Sequence, residues 1–182
     1  MSAKGKTPSS AEAVRPCSPQ AVRRRAIEMG AVGAKIISPE KVFTAAWVRW
    51  KCRFGCDAFG SSRLCPPHSP SPAETRAVLD GYRRAILIHA NEKLDMRRTV
   101  AALEREAFLA GFYKAFGFAC GPCGLCEECA FDKGCRHAEL ARPAMEACGI
   151  DVFRTARAAG FPIEVVTDRK CRQNYYGLLL LE

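Results

Sequence analysis

Residues 120–135 read CGPCGLCEECAFDKGC, which places five cysteines within sixteen residues. Two-residue spacers let a loop wrap a compact inorganic cube, because each thiolate can then reach a different iron. Gly121 and Gly124 let the backbone pass close to such a cube and direct its amides at the sulfides, which stabilises the negative charge. This loop therefore predicts a [4Fe–4S] site. Its candidate ligands are Cys123, Cys126, Cys129 and Cys135.

Zinc is the alternative metal for this loop. A zinc site needs four ligands at tetrahedral corners, usually supplied by two Cys-x-x-Cys hooks about a dozen or more residues apart. Residues 120–135 leave little chain for a second hook, so the spacing favours a cluster. Cys120 has two interpretations: it is either an eighth cluster ligand or a spare thiol beside the quartet.

A second constellation comes earlier, at Cys52-Arg-Phe-Gly-Cys56, with Cys65-Pro66-Pro67 eight residues further on. Three cysteines on one loop also suit a cluster, but a four-iron cluster then lacks one local thiolate. A cysteine of the other loop or a non-protein ligand would complete the set. The ligands could also cross between sites, because a cysteine followed by proline serves the distant cluster in two-cluster ferredoxins. The sequence thus predicts one or two [4Fe–4S] clusters.

The remaining cysteines and histidines are interpreted as structural or surface residues. Cys17, Cys148 and Cys171 stand apart from both constellations and behave as ordinary small residues in this interpretation. His68 and His137 are expected at the surface. His89 ends an apolar run and is expected to be structural.

Composition limits the function classes. A chain of 182 residues suits one domain, and no apolar run reaches the 18 or more residues that a membrane helix needs. The N-terminus is polar and lacks the apolar segment of a secretory signal, so a cytoplasmic location is expected and no membrane association. In a reduced compartment, eleven cysteines favour metal ligation over disulfides. The net charge of +9 falls to about +5 with two clusters bound, which makes nucleic acid a disfavoured partner.

The order of elements predicts an α+β (or α/β) fold with two cysteine-rich metal-binding loops. Residues 1–17 are expected to form a flexible tail, and residues 18–182 a single compact metal-binding domain whose mixed β-sheet is flanked by helices. Helices are predicted at 19–29, 72–82, 94–116 and 152–159, and strands at 34–37, 45–50, 85–89, 163–167 and 175–181.

Four stretches of the chain carry a family resemblance. They are KCRFGCDAFGSSRLCPPHSPSP, GPCGLCEECAFDKGCRH, ARPAMEACGIDVFRTARAAGFPIEV and NYYGLLLLE. From about residue 33 to its end, the sequence resembles a prokaryotic family catalogued as domain of unknown function 2284 and labelled predicted metal-binding. The resemblance implies metal binding but no reaction, and it makes Cys120, Cys148 and Cys171 local additions. Ala138 and Ala144 stand where the family commonly has proline and serine. The resemblance implicates Cys52, Cys56, Cys65, Cys123, Cys126, Cys129 and Cys135.

Three functions fit these observations. The first is an iron–sulfur protein that transfers electrons or serves as a redox accessory to a partner enzyme, so its partner would be a protein. The second is an enzyme whose three-cysteine cluster leaves one iron open to a small-molecule substrate or a sulfur atom. The third is a zinc-bearing structural or nucleic-acid-binding module. No nucleotide-binding or flavin fingerprint is present in the sequence, which favours cluster chemistry alone.

Overall fold

Two apolar strands pair along their whole length at the centre of the protein. A computed structural model describes residues 18–168 and 170–182, and the predicted tail at 1–17 lies outside them. In it, β2 (Ala85–Ala90) pairs antiparallel with β4 (Tyr175–Leu180). β1 (Gly33–Ile37) and β3 (Phe116–Phe118) flank this pair, so the order across the sheet is β1-β2-β4-β3.

Helices cover both faces of this sheet. The helices of the described residues are α1 (Pro19–Glu28), α2 (Ala46–Gly55), α3 (Pro72–Leu79), α4 (Met96–Leu109) and α5 (Val152–Ala158), and all but α2 pack on the sheet. On one face α1 and α4 pack against Ile86, Ile88 and Leu179. On the other face α3 and α5 pack against Leu87 and Leu178. Every residue of β2 is consequently buried, which is why residues 85–88 of this strand are a continuous apolar run without polar alternation. The α+β fold in a single domain is confirmed.

Local capping signals define where helices begin. The Ser18 side chain accepts a hydrogen bond from the Ala21 amide, and Asp151 caps α5 by accepting from the Arg154 amide. Ser71 and Glu74 form a complete capping box at the start of α3. Because these signals depend only on neighbouring residues, the starts of all three helices were predictable from sequence.

Three predicted elements are wrong. A strand was predicted at 45–50 from Trp47, Val48 and Trp50, but Ala45 is the N-cap of helix α2 and residues 46–50 belong to that helix, in which only Val48 is buried. The predicted helix at 94–116 ends at Leu109, and Phe116 begins β3 instead of extending an apolar stripe with Phe108. No strand forms at 163–167. Aromatic and β-branched residues favour strands only where a sheet surface is available to them.

The sheet is antiparallel, whereas the sequence predicted a mixed one. All three strand pairings between named strands are antiparallel, and the single parallel contact in the described chain is an isolated bridge between Ala119 and Ala144. The connection between β1 and β2 returns the chain to the end of the sheet where β1 finished, which pairs Ile37 with Ala85. Alternating helices and strands had suggested crossovers that this connection does not make. None of the helices in the described ranges is long and apolar enough to cross a bilayer.

Candidate metal centres

Four cysteines of the 120–135 loop surround one cavity. Its volume is about 340 Å³, and residues 61–64 of the other cysteine loop also line it. Gly121 and Gly134 adopt left-handed backbone conformations, with φ of 69° and 83°, at turns of this loop. The cavity thus brings together the quartet predicted from spacing. Its cysteines are Cys123, Cys126, Cys129 and Cys135.

The three cysteines of the earlier constellation surround a second, separate cavity of about 150 Å³. Cys52 lies in the last turns of α2, Cys56 immediately follows that helix, and Cys65 is buried in the loop beyond it. Burial raises the pKa of the Cys52 thiol, and the neighbouring Cys56, Glu146 and Cys65 raise it further. All three members of the trio therefore face one space, and Cys65 does not line the cavity of the quartet.

The two cysteine loops are packed against each other. The Arg63 guanidinium donates a hydrogen bond to the Phe131 carbonyl, and the His68 ring lies 4.8 Å from the Phe131 ring, measured between centroids. Gly121 and Pro122 of the quartet loop also line the cavity of the trio. Two neighbouring centres would consequently share walls, although each has its own set of cysteines.

A buried arginine on α4 holds the ends of the quartet loop. The Arg97 guanidinium donates 3.1 Å hydrogen bonds to the carbonyls of Gly121 and Pro122, where the loop begins. It also donates to the carbonyl of Arg142, seven residues after Cys135, where the segment that carries the quartet ends. Since Arg97 is 8% exposed, these bonds are largely shielded from water. One side chain thus joins both ends of the loop to a helix.

An ion pair between Arg142 and Glu104 provides a second contact between helix α4 and the segment that follows the quartet. The Arg142 guanidinium donates two hydrogen bonds to the Glu104 carboxylate, at 2.5 and 2.6 Å, and this contact raises the pKa of Arg142. The same carboxylate accepts a 2.8 Å bond from the Gly117 amide in β3. Sequence reasoning missed Arg97, Glu104 and Arg142, because a charged residue on an amphipathic helix carries no signal of its distant carbonyl partners.

Cys120 shares a cavity with two cysteines of the trio and does not line the cavity of the quartet. It lines a cavity of about 690 Å³ together with Cys52 and Cys56, and it packs against the apolar cluster beneath α4. Burial is the main reason that the pKa of Cys120 rises to about 11, with the charge of Glu146 as the next cause. Cys120 lines neither the quartet cavity nor the trio cavity, so an eighth cluster ligand and a spare thiol both stay predictions for it.

Glu146 is the unforeseen residue of the site. It lies in a short 3₁₀ turn, Glu146–Cys148, and it lines both the trio cavity and the 690 Å³ cavity. Burial raises the pKa of its carboxyl group. Its Oε2 atom is the only buried side-chain nitrogen or oxygen in the described part of the chain without a hydrogen-bond partner. Nothing in the sequence around Glu146 predicted that its carboxyl group would face a cysteine cavity.

The residues interpreted as structural lie away from both cysteine cavities. Cys148 is buried in the core beneath α3, where burial raises the pKa of its thiol to about 12. Cys171 contacts the hydroxyl of Thr167 at 3.4 Å. His89 is buried against two aromatic rings and lies 2.8 Å from the Asn174 amide oxygen, as a structural histidine does. Cys17 falls outside the described residues.

The donor chemistry of the two cavities suits a thiophilic group of several atoms. Within residues 18–168 and 170–182, no three His, Cys, Asp or Glu side chains converge on the position of a single metal ion. The cysteines instead surround spaces of about 340 and 150 Å³, and one water molecule occupies roughly 30 Å³ of liquid. Thiolates are the ligands that iron–sulfur clusters and zinc prefer.

Comparison with known proteins agrees with this metal-centred reading. A family model described as "Predicted metal-binding protein (DUF2284)" matches residues 35–181. The chain belongs to this family. The match spans both cysteine loops, and the resemblance noted in the sequence is therefore confirmed. Membership of DUF2284 indicates metal binding in general. The identity of the metal has to be inferred from the site. No curated protein and no solved structure matches the chain.

Proposed function

We propose that this DUF2284 protein binds two [4Fe–4S] clusters, one in each cysteine cavity, and acts in electron transfer as a redox accessory to a partner enzyme. The observation that carries the proposal is that seven cysteines line two separate cavities, each with room for a group of several atoms. The quartet would supply four thiolates to one cluster, and the trio three thiolates to the other. Such clusters exchange single electrons at potentials set by charge, hydrogen bonds and solvent exposure.

The position of the quartet favours electron exchange with another protein. Cys135 is exposed and the other three cysteines of the quartet are partly exposed, so a cluster there lies near the surface. Arg97 and the Arg142–Glu104 pair hold both ends of the loop, which keeps the ligands in place when the charge of the cluster changes. A reducing cytoplasm is the compartment in which these thiols would remain available, and we assign the protein to it.

Helix α2 offers a surface for the partner. Trp50 and Phe54 are 66% and 76% exposed on this helix, which also carries Cys52. The helix contains Arg49, Lys51 and Arg53 and no acidic residue. This combination suits an acidic partner with an apolar centre. Reduction by an acidic flavodoxin should be slower in Trp50→Ser/Phe54→Ser than in the control Tyr113→Ser. Equal rates would contradict docking at α2.

A second candidate function, catalysis at the trio, is favoured by the adjoining cavity. Its 690 Å³ lie within the range typical of small-molecule sites, and it meets the trio at Cys52 and Cys56. Apolar residues such as Val48, Ile150 and Ile163 form much of its wall. An iron without a fourth thiolate could act there as a Lewis acid toward a bound molecule.

Iron and sulfide counts in single-cysteine variants test the two-cluster proposal. Wild-type protein reconstituted anaerobically should hold about eight irons and eight sulfides, while Cys126→Ser and Cys52→Ser should each retain about four of both. Cys148→Ala and Cys171→Ser serve as matched controls, because neither thiol lines a cysteine cavity, and their iron content should equal that of wild type. Equal iron loss in all four variants would show that the partition into two centres is wrong.

A further inference from the structure

The carboxylate of Glu146 occupies a costly position. Its Oε2 atom is buried and accepts no hydrogen bond from any described residue. Taking a carboxylate out of water without a compensating partner is strongly unfavourable, and buried polar groups are paired in nearly all native structures. A buried carboxylate oxygen without a partner, on a residue that lines a cavity, therefore points to a ligand that the cavity receives.

The trio is the neighbouring group that lacks a donor. Cys52, Cys56 and Cys65 provide three thiolates, whereas a four-iron cluster has four irons to be ligated. Two nearby side chains could complete the set. Cys120 lines only the larger cavity, while Glu146 lines that cavity and the trio cavity alike. The charge of Glu146 also contributes to the raised pKa of Cys52, after burial and Cys56, which agrees with a short separation.

We propose that the Glu146 carboxylate is the fourth protein ligand of the metal centre held by Cys52, Cys56 and Cys65. The identity of that centre as a cluster rests on the function proposed above. Carboxylate oxygen ligates both iron and zinc, so the assignment of Glu146 as a ligand holds for either metal. Glu146 also lines the 690 Å³ cavity. A molecule bound in this cavity could therefore displace the carboxylate, which is the only ligand in this set that is not a thiolate.

Glu146→Gln tests the assignment, since it keeps the side-chain volume and removes the anionic donor. Glu139→Gln is the control, because Glu139 is an exposed carboxylate that lies 3.9 Å from the Nδ1 atom of His137. Each reconstituted protein is oxidised by one electron with ferricyanide. The oxidised [4Fe–4S]³⁺ form releases Fe²⁺ and leaves [3Fe–4S]⁺, which is counted by electron paramagnetic resonance. In Glu146→Gln, the cluster held by the trio should release this iron at least about tenfold faster than in wild type and in the control. Equal rates in all three proteins would overturn the assignment.

The apoproteins distinguish a ligand from a structural residue. Because Oε2 accepts no hydrogen bond from the described residues, apo Glu146→Gln should be about as stable to heat as apo wild type. A lower melting temperature of the apo variant would indicate a structural role and overturn the assignment.

Metal and sulfide analysis distinguishes a failure of the proposed function from a failure of the Glu146 assignment. Wild-type protein that holds zinc and no sulfide after reconstitution would overturn the cluster proposal, but it would still allow Glu146 to be tested. In the Cys126→Ser background only the trio centre remains complete, and its Co²⁺ affinity is read from the absorption bands of the metal. Glu146→Gln should weaken that affinity about tenfold or more. An unchanged affinity would overturn the assignment for a single ion as well.

Discussion

Replacing Arg97 by methionine should loosen the quartet loop at both ends. Methionine retains most of the buried stem but removes the guanidinium that donates to the carbonyls of Gly121, Pro122 and Arg142. A hydrogen bond to a charged group contributes about 1.5–3 kcal/mol to stability. Gly121 and Pro122 are exposed, so their carbonyls regain water, and the partly buried carbonyl of Arg142 loses the most. We expect the free energy of unfolding to fall by about 2–3 kcal/mol.

Thermal unfolding of the apoprotein measures this change. In a domain of this size 1 kcal/mol corresponds to about 2–4 °C, so the melting temperature should fall by about 4–12 °C. Iron release from the quartet to a chelator should also be faster in the reconstituted variant. Arg98→Met is the matched control, since the neighbouring Arg98 is exposed and pairs with Asp95, and it should lose no more than about 0.5 kcal/mol. A shift in Arg97→Met no larger than that of the control would refute the assigned anchoring role.

Two further experiments test the packing around Gly117 and the reactivity of two cysteine thiols. In Gly117→Ala the added methyl group would lie 2.2 Å from Val100 Cγ1, so the free energy of unfolding, measured by urea titration, should fall by about 1–3 kcal/mol. Gly55→Ala, where nothing lies within 4 Å, should change it little, and similar values for both would contradict the packing described. In alkylation of the apoprotein at pH 8, followed by mass spectrometry, Cys171 should react before Cys148. The Thr167 hydrogen bond lowers the pKa of Cys171 and favours its thiolate, whereas burial raises the pKa of Cys148 to about 12; the reverse order would contradict these environments.

The parts of the fold that sequence predicted are those with local causes. The starts of α1, α3 and α5 depend on a capping residue within three positions, and the apolar run of β2 depends on its own composition. Helix α2 could not be predicted in this way. Its Trp47 and Trp50 favour strands, but they are exposed, and the buried contact of the helix is made by Val48.

Spacing alone predicted how the cysteines group, but the residues that support them were not predictable. Cys123 to Cys135 lie close in sequence, so their common cavity follows from short-range geometry. Arg97 and Glu146 reach the site from a helix and a turn that are distant in sequence from the residues they serve. Which carbonyl an arginine finds, or which carboxylate stays unpaired, depends on the packing of the whole domain.

The iron, sulfide and zinc content of anaerobically isolated protein tests the central claim most directly. The grouping of the cysteines around cavities of about 340 and 150 Å³ predicts a brown protein that contains iron and acid-labile sulfide in equal amounts. Two filled centres correspond to about eight of each per chain. Stoichiometric zinc, with no sulfide even after reconstitution with iron and sulfide, would contradict the claim.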